Sequence, residues 1–381
     1  MARVFFNSAA KLAVDGPEPT REPMWFHERL PGYAPTPLVA ASNLAERLGL
    51  GKVWVKDESN RLGLPAFKIL GASWATYRAA IERLGREPGR WSTLQGLAAQ
   101  FAPLQPLTLV TATDGNHGRA VARVAALLGF EARVFVPRSA APARIQAIES
   151  EGARVSVVEG SYDEAVERAA AEAGPNCLVI SDTSWQGYEQ IPRWVIEGYS
   201  TIFWEVHDAL AARGEAAADL VVVQAGVGGL ASAAVRHYRR RGRKAAPRIV
   251  AVEPERADCL LASVEAGRIV SLPGPHDSIM AGLNCGTPSL VAWPLIRDGI
   301  DCFVAMGDEG AYEGMRELAR AGLVSGAAGA SGAGGLIELL AGDQAGGARE
   351  RLGVTGQTRV LLISTEGATD PAAYGRIVGH L

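Results

Sequence analysis

The chain of 381 residues lacks several features that mark particular classes of protein. It has only four cysteines, and none forms the C-x-x-C pair typical of zinc or redox sites, so we expect no metal site. No apolar run is long enough to cross a bilayer, and the N-terminal segment does not resemble a signal peptide. We therefore expect a cytoplasmic protein with no membrane partner.

An excess of charge of one sign is also missing. The formal net charge is −3, which indicates no nucleic-acid partner. Lysine is scarce, with five lysines against 33 arginines. Lys68 is therefore conspicuous among Phe67, Ile69 and Leu70, because a solvated surface accepts arginine equally well.

What is present is the alternating pattern of an α/β protein. Near-continuous Val/Ile/Leu runs, typical of strands buried on both faces, alternate with Ala-rich helical segments such as 119–129 and 162–174. The predicted strands are 53–57, 107–112, 132–137, 154–159, 177–182, 220–225, 248–253, 302–306 and 360–365. The pattern predicts a mostly parallel sheet flanked by helices in each of two domains.

The spacing of these strands suggests where the domains divide. Residues 90–210 contain four βα units, enough for a small separate sheet. We predict a discontinuous large domain of residues 1–85 and 213–381, with a small α/β domain inserted at 86–212. The sequence GAAGASGAGG at 326–335 is interpreted as a loop.

A glycine-rich turn, AGVGGLASAA at 225–234, follows a strand and opens a helix. Glycines there let backbone N–H groups approach an anion, either a dinucleotide pyrophosphate or a single phosphate. Gly226, Gly228 and Ala231 match G-x-G-x-x-A, and Glu253 ends the next strand, where a ribose-binding acid is expected. This motif leaves an NAD-dependent oxidoreductase open.

Two further polar turns follow other strands. TATDGNHGRA at 111–120 offers the Asn116 and His117 side chains at a helix start, and STEGATDP at 364–371 offers two hydroxyls at a sheet edge. A cofactor with a phosphate and a reactive ring requires such additional turns, whereas a dinucleotide does not. A lysine in apolar surroundings is shifted towards its neutral amine, which forms a Schiff base with an aldehyde. Together these features favour pyridoxal 5'-phosphate.

Several segments resemble the fold-type II pyridoxal-phosphate enzymes, the tryptophan synthase β family, and within it the diaminopropionate ammonia-lyases. The segment TDGNHG with its Asp114, and SDTSWQGY with its Asp182, are typical of the ammonia-lyase branch. The matching segments are FHERLPGYAPTPL (26–38), RLGLPAFKILGAS (61–73), ATDGNHGRAVA (112–122), SDTSWQGYEQIP (181–192), GVGGLA (226–231), MAGLNCGTPS (280–289) and STEGATDP (364–371).

The resemblance implies a site. Lys68 carries the cofactor, the 226–230 amides hold its phosphate, Asn116 contacts the ring hydroxyl, and Ser364, rather than Thr365, faces the pyridine nitrogen. The implied cofactor-binding residues are Lys68, Phe67, Asn116, Gly226, Val227, Gly228, Gly229, Leu230, Ser364 and Thr365. The implied substrate-binding residues are Thr113, Asp114, Gly115, His117 and Asp182.

The resemblance also implies the reaction, which is α,β-elimination of 2,3-diaminopropionate to pyruvate and ammonia, in a homodimer. Lys68, Asp114 and Asp182 are the implied catalytic residues, because two carboxylates suit a cationic substrate and can move protons. The alternative is another pyridoxal-phosphate lyase, such as a β-replacing enzyme or a hydroxyamino-acid dehydratase. A remoter one is the NAD-dependent oxidoreductase.

Two features depart from expectation or stay open. Cys259 and Cys285 lie in segments that resemble paired family segments, so a disulfide is conceivable, although buried thiols suit a reducing cytosol better. Ala330 precedes Ser331 where the resemblance implies a glutamate, which bears on substrate preference.

Overall fold

The computed structural model describes residues 2–240 and 246–379. Eleven strands lie in these residues and are numbered in chain order. They are β1 (Arg3–Phe6), β2 (Leu38–Ala40), β3 (Lys52–Asp57), β4 (Thr108–Ala112), β5 (Glu131–Pro137), β6 (Arg154–Val158), β7 (Cys177–Val179), β8 (Leu220–Gln224), β9 (Arg248–Pro254), β10 (Cys302–Met306) and β11 (Arg359–Ser364).

The same residues contain fifteen α-helices and two short 3-10 helices, at Ala102–Leu104 and Ala281–Leu283. The α-helices are α1 (Glu22–His27), α2 (Ser42–Leu48), α3 (Lys68–Leu84), α4 (Leu94–Phe101), α5 (Asn116–Leu128), α6 (Pro142–Glu149), α7 (Tyr162–Ala170), α8 (Gln190–Ala212), α9 (Gly229–Tyr238), α10 (Cys259–Ala266), α11 (Trp293–Gly299), α12 (Asp308–Arg320), α13 (Ala327–Ala341), α14 (Ala345–Leu352) and α15 (Pro371–Val378).

The first compact unit, residues 1–19, 35–60 and 202–381, is built on a seven-stranded sheet. Its strand order is β1-β10-β9-β8-β11-β3-β2, and the five inner strands are parallel. The short edge strands β1 and β2 pair antiparallel with their neighbours. All residues of β8 and β10 are buried, as expected for strands covered on both faces.

The second unit, residues 20–34 and 61–201, has a four-stranded parallel sheet in the order β6-β5-β4-β7. Its small core contains Val110, Ala112, Phe135 and Val179 from the strands. The carboxyl ends of the parallel strands β4 and β7 lie at the same edge of the sheet, where ligands bind in open α/β sheets.

The predicted α/β class is confirmed, and each of the nine predicted strands is present. The short strands β1 and β2 were not predicted, because three or four residues at a sheet edge give little periodicity. The domain bounds differ from prediction. Residues 20–34 and 61–85 belong to the second unit, where α3 packs against α5, and residues 202–212 belong to the first, since the division falls within α8.

The prediction of a loop at 326–335 is wrong, because these residues form most of helix α13. Its glycines allow α12 and α13 to pack with their backbones in contact. A β-carbon on Gly314 would lie 2.7 Å from the Gly334 nitrogen, and one on Gly334 would lie 2.7 Å from the Gly310 carbonyl carbon. Ala330, the departure noted above, is fully buried in this helix. Close helix packing therefore outweighs the poor helix propensity of glycine.

Each of the four cysteines is a thiol in the described structure, Cys259 and Cys285 included. None of the helices in residues 2–240 and 246–379 has the length and apolar composition that crossing a membrane requires. No cluster of three or more His, Cys, Asp or Glu in the same residues has the arrangement of a metal site.

Candidate active site

Lys68 is the first residue of α3, and the cap before it is Phe67. Two glycines bring α3 against α8. A β-carbon on Gly71 would lie 2.6 Å from the Tyr199 ring, and Gly198 permits the backbone of Leu70 to approach α8. The Tyr199 ring packs on Phe67, with ring centroids 4.7 Å apart. The aromatic and helical packing thus holds the backbone of Lys68 in one place.

The amine of Lys68 is not in a purely apolar setting. Lys68 Nζ lies 2.6 Å from Asp182 Oδ2, and the lysine side chain is 21% exposed. The sequence analysis named Asp182 as a catalytic residue but did not predict its contact with Lys68, which lies 114 residues earlier. In the described structure the amine is therefore held by a charge-assisted hydrogen bond.

Asp182 follows β7 in a segment whose backbone is hydrogen-bonded to the Tyr188 side chain. The Tyr188 hydroxyl donates to the Val179 carbonyl over 2.8 Å and accepts from the Ser181 N–H over 3.0 Å. The Tyr162 hydroxyl lies 3.5 Å from Asp182 Oδ1. Burial alone would raise the pKa of Asp182, but Lys68 and then His117 outweigh this, and the pKa falls well below its usual range. Asp182 is therefore ionised at neutral pH.

Tyr162, Tyr188 and Tyr199 were missed by the sequence analysis. Tyr162 lies in a predicted helical segment and Tyr199 in α8, and their proximity to Asp182 and Lys68 depends on tertiary structure. A signal for Tyr188 exists, since it stands inside the segment SDTSWQGY that also carries Asp182.

The turn at 113–117 leads from β4 into α5. The Thr113 Oγ1 accepts from the Gly115 N–H over 2.9 Å. Gly115 has φ of +154°, a conformation that favours glycine, and a β-carbon on Gly118 would collide with the Thr113 side chain. The N–H of Gly115 is therefore already engaged, whereas the first-turn N–H groups of α5 have no acceptors within the helix.

Asp114 differs from Asp182 in its ionisation. Burial raises the pKa of Asp114 to about 7, with Arg144 opposing the shift and the negative charge of Asp182 adding to it. The two predicted catalytic carboxylates therefore have separated pKa values, since one is ionised throughout the neutral range and the other titrates within it. Such separation is how active sites assign acid and base roles.

Two buried polar atoms near Lys68 have no hydrogen-bond partner in the described part of the chain. One is Nδ1 of His117, which lies 4.0 Å from Asp182 Oδ2, while its Nε2 lies 2.9 Å from the Ile180 carbonyl. Burial lowers the pKa of His117, so the imidazole is neutral. The other atom is the Tyr199 hydroxyl, which lies close to the Lys68 amine. Buried polar groups are normally satisfied, so the His117 atom points to a polar ligand.

In the first unit, the glycine turn lies between β8 and α9. Gly228, with φ of +99°, is the residue before α9. A β-carbon on Gly226 would lie 3.0 Å from Cys285 Sγ and 3.3 Å from the Leu283 Cα. The positive φ of Gly228 favours glycine, and a side chain at 226 would need its neighbours to shift. The first-turn N–H groups of α9 have no acceptors within the helix, as in helix N-termini that bind anions.

The predicted hydroxyl pair lies at the carboxyl end of β11. Ser364 and Thr365 are both buried. Ser364 Oγ donates to Ser325 Oγ over 2.8 Å, while Thr365 Oγ1 accepts from Gln224 Nε2 over 3.0 Å. Gln224 is the last residue of β8, so the hydroxyl pair and the glycine turn are linked within one unit.

The sequence was then compared with known families and structures. The family model described as pyridoxal-phosphate dependent enzyme matches residues 29–363. The chain belongs to this family. Diaminopropionate ammonia-lyase of Salmonella typhimurium (strain LT2) is 37% identical, over 98% of this chain and 95% of the relative.

Solved structures agree with this result. The crystal structure of the Escherichia coli diaminopropionate ammonia lyase in complex with D-serine aligns with a TM-score of 0.90 and 32% identity, and covers all of this chain and 97% of the other. The same enzyme in complex with an aminoacrylate-PLP azomethine reaction intermediate aligns with a TM-score of 0.89 over the same shares, also at 32% identity.

The residues of this pyridoxal-phosphate-dependent enzyme suit the cofactor chemically. The surface lined by Gly226 and Gly228 would suit an anion such as a phosphate, and Ser364 and Thr365 are neutral hydroxyls rather than carboxylates. Lys68 has the amine that the cofactor's aldehyde would require. When bound, pyridoxal phosphate supplies an electron sink for carbanion chemistry.

The NAD-dependent alternative is excluded by the family and by Glu253. The two oxygens of Glu253 accept the N–H groups of Leu260 and Leu261, at 2.8 and 2.9 Å, at the start of α10. The side chain is fully buried, and burial raises its pKa to about 8. The acid predicted to bind a ribose instead satisfies backbone donors of a helix.

Proposed function

We propose that the enzyme catalyses α,β-elimination of 2,3-diaminopropionate, in which one substrate and one water give pyruvate and two ammonia. The observation that carries the proposal is the pair Asp114 and Asp182 near the Lys68 amine, with opposite ionisation preferences. A substrate with a β-ammonium group suits an ionised carboxylate, whereas serine and threonine present a neutral hydroxyl there. The similarity to diaminopropionate ammonia-lyases along nearly the whole chain supports the same substrate.

The residues have separate tasks in this proposal. Asp182, ionised, binds the β-ammonium group and assists the departing amine. Asp114 takes the α-hydrogen in its ionised form, and Lys68 takes it from the opposite face, so that both enantiomers of the substrate react. The first-turn N–H groups of α5, the backbone N–H of His117 among them, bind the substrate carboxylate.

Each unit has proposed cofactor-binding residues of its own. In the first unit, the N–H groups of residues 226–230 bind the phosphate, and a hydroxyl of Ser364 or Thr365 faces the ring nitrogen. In the second, Lys68 holds the cofactor covalently, with Phe67 and Asn116 beside the ring. A neutral partner for the ring nitrogen suits elimination, because the leaving group relieves the carbanion early.

The substrate assignment is tested with purified enzyme. Ammonia and keto acid are measured with diaminopropionate, serine and threonine as substrates. We expect kcat/KM for diaminopropionate to exceed the values for serine and threonine by about two orders of magnitude, because only its β-ammonium group can pair with an ionised carboxylate. Comparable turnover of serine or threonine would instead assign a hydroxyamino-acid dehydratase.

The cofactor assignment is tested with Lys68→Ala. This variant should lose both the visible absorbance of the enzyme and its turnover, because it has no amine to hold the aldehyde. Lys52→Ala is a matched control, since Lys52 pairs with Glu215 in the first unit, away from the predicted site residues. A coloured and active Lys68→Ala enzyme would refute the role of Lys68.

The enzyme is further proposed to be a cytoplasmic homodimer. The resemblance to the fold-type II enzymes supports the dimer, and four cysteines present as thiols agree with a reducing compartment. Light scattering coupled to size-exclusion chromatography measures the mass in solution. A monomeric mass would contradict the proposed dimer.

A further inference from the structure

Gln224 stands where two strands of the first unit separate. The strand β8 pairs with β11 only as far as Val222 and Leu362. Beyond that point β8 continues beside β9 to Gln224, and β11 continues beside β3 to Ser364. The Gln224 side chain is 2% exposed, and its Nε2 lies 2.9 Å from the Ile363 carbonyl. The amide thus supplies a donor where the backbone pairing has ended.

The nitrogen and the oxygen of this amide have different surroundings. Nε2 lies 2.9–3.0 Å from four acceptors, which are the carbonyl oxygens of Ala328, Gly329 and Ile363 and the Oγ1 of Thr365. Oε1 is buried and has no hydrogen-bond partner in residues 2–240 and 246–379. The orientation of the amide is therefore determined, since rotating it would place an oxygen against four acceptors.

This arrangement limits what the Thr365 hydroxyl can do. The Gln224 amide nitrogen has two hydrogens for four acceptors and cannot itself accept, so the Thr365 hydrogen is not directed to it and remains available for an acceptor such as an unprotonated ring nitrogen. The Ser364 hydroxyl differs, because its hydrogen is directed to Ser325 Oγ. Gln224 also contacts two carbonyls in the first turn of α13, so the amide holds that helix against the end of β11.

We infer that Gln224 is a positioning residue that makes Thr365, rather than Ser364, the hydrogen-bond donor to the cofactor's ring nitrogen. The inference rests on the proposed function only in placing the ring nitrogen at this hydroxyl pair. It concerns the cofactor and not the substrate, so it can be tested without turnover.

The test measures pyridoxal phosphate itself. Apoenzyme is titrated with pyridoxal phosphate to give a Kd, and the visible spectrum of the loaded protein is recorded. Gln224→Met keeps the length of the side chain but removes the donor. We expect about a tenfold weaker Kd and a shifted absorbance maximum, as for one lost buried hydrogen bond. Gln357→Met, at an exposed position, should change neither.

A double-mutant cycle separates positioning from general stability. If Gln224 acts through Thr365, then Thr365→Val reproduces both effects, and adding Gln224→Met to it changes Kd by less than about twofold. Thr365→Ser should keep the wild-type spectrum, and Ser364→Ala should alter it little. Additive losses in the double variant, or a wild-type Kd and spectrum for Gln224→Met, would overturn the inference.

Two further outcomes, a Gln224→Met variant that does not fold and a wild-type enzyme that does not convert diaminopropionate, are distinguishable from a failure of this inference. If Gln224→Met does not fold, the comparison of Thr365→Val with Ser364→Ala decides, because a spectral shift confined to Ser364→Ala contradicts the assignment. If the wild-type enzyme binds pyridoxal phosphate but does not convert diaminopropionate, the proposed function is wrong. The role of Gln224 is still decided by the titrations with pyridoxal phosphate.

Discussion

Asp114 allows the sharpest test of the proposed chemistry, through the change Asp114→Asn. Burial raises its pKa to about 7 from an ordinary 3.8. About one tenth of the carboxylate is ionised at pH 6 and about nine tenths at pH 8. If the ionised form takes the α-hydrogen, log kcat/KM should rise with pH, with a slope near one below pH 7, and then level off.

The magnitude follows from the role of a general base. Asp114→Asn should lower kcat/KM at pH 8 by about 10²–10⁴, which is the usual contribution of such a group. It should also abolish the rise at about pH 7, because no titrating carboxyl remains. The loss should be larger for one enantiomer of diaminopropionate than for the other, since Lys68 is proposed to serve the opposite face.

Two neighbouring charged residues provide controls, because their removal should shift the pH dependence in opposite directions. Arg144 lowers the pKa of Asp114, so Arg144→Gln should move the rise to higher pH. Asp163 raises the same pKa, so Asp163→Asn should move it to lower pH. Initial rates are measured across pH 5.5–9 for each variant. An Asp114→Asn enzyme that keeps the wild-type rise at pH 7 would refute the reasoning.

Three further predictions concern positioning and stability. Gly334→Ala should lower Tm through about 1–3 kcal/mol of overpacking between α12 and α13, whereas Gly346→Ala, with open space around it, should be neutral or stabilising in the same melts. Tyr188→Phe removes both hydrogen bonds that hold the Asp182 segment and should lower kcat/KM about tenfold at unchanged cofactor content; an unaffected rate would contradict the positioning role. Burial raises the folded pKa of Glu253 to about 8 from 4.5, so the protonated form favours folding. The free energy of unfolding should then fall by up to ~1.4 kcal/mol per pH unit between about pH 5 and 8, and Glu253→Gln should flatten this fall in denaturant titrations.

Local patterns were sufficient for much of the fold and for the cofactor class. The buried Val/Ile/Leu runs identified nine strands, because strands covered on both faces need unbroken apolar sequence. The glycine turn at 225–229 and the lysine at 68 were recognisable alone, since few other residues can make an anion-binding turn or a Schiff base.

Local sequence patterns did not predict features that depend on contacts between residues far apart in the chain. Helix α13 is rich in glycine, and only its packing against α12 explains why it is helical. The division within α8 and the membership of α3 in the second unit depend on which surfaces pack together, and no local signal marks them.

The sequence by itself determined the α/β class and the nine predicted strands, because these depend on local composition, and it predicted Lys68 and the turn at 225–229 as site residues. Tertiary structure alone decided that Asp182 meets Lys68, that Asp114 and Asp182 ionise differently, and that Gln224 holds Thr365. These properties depend on distance and burial between positions far apart in the chain, which short-range patterns do not encode.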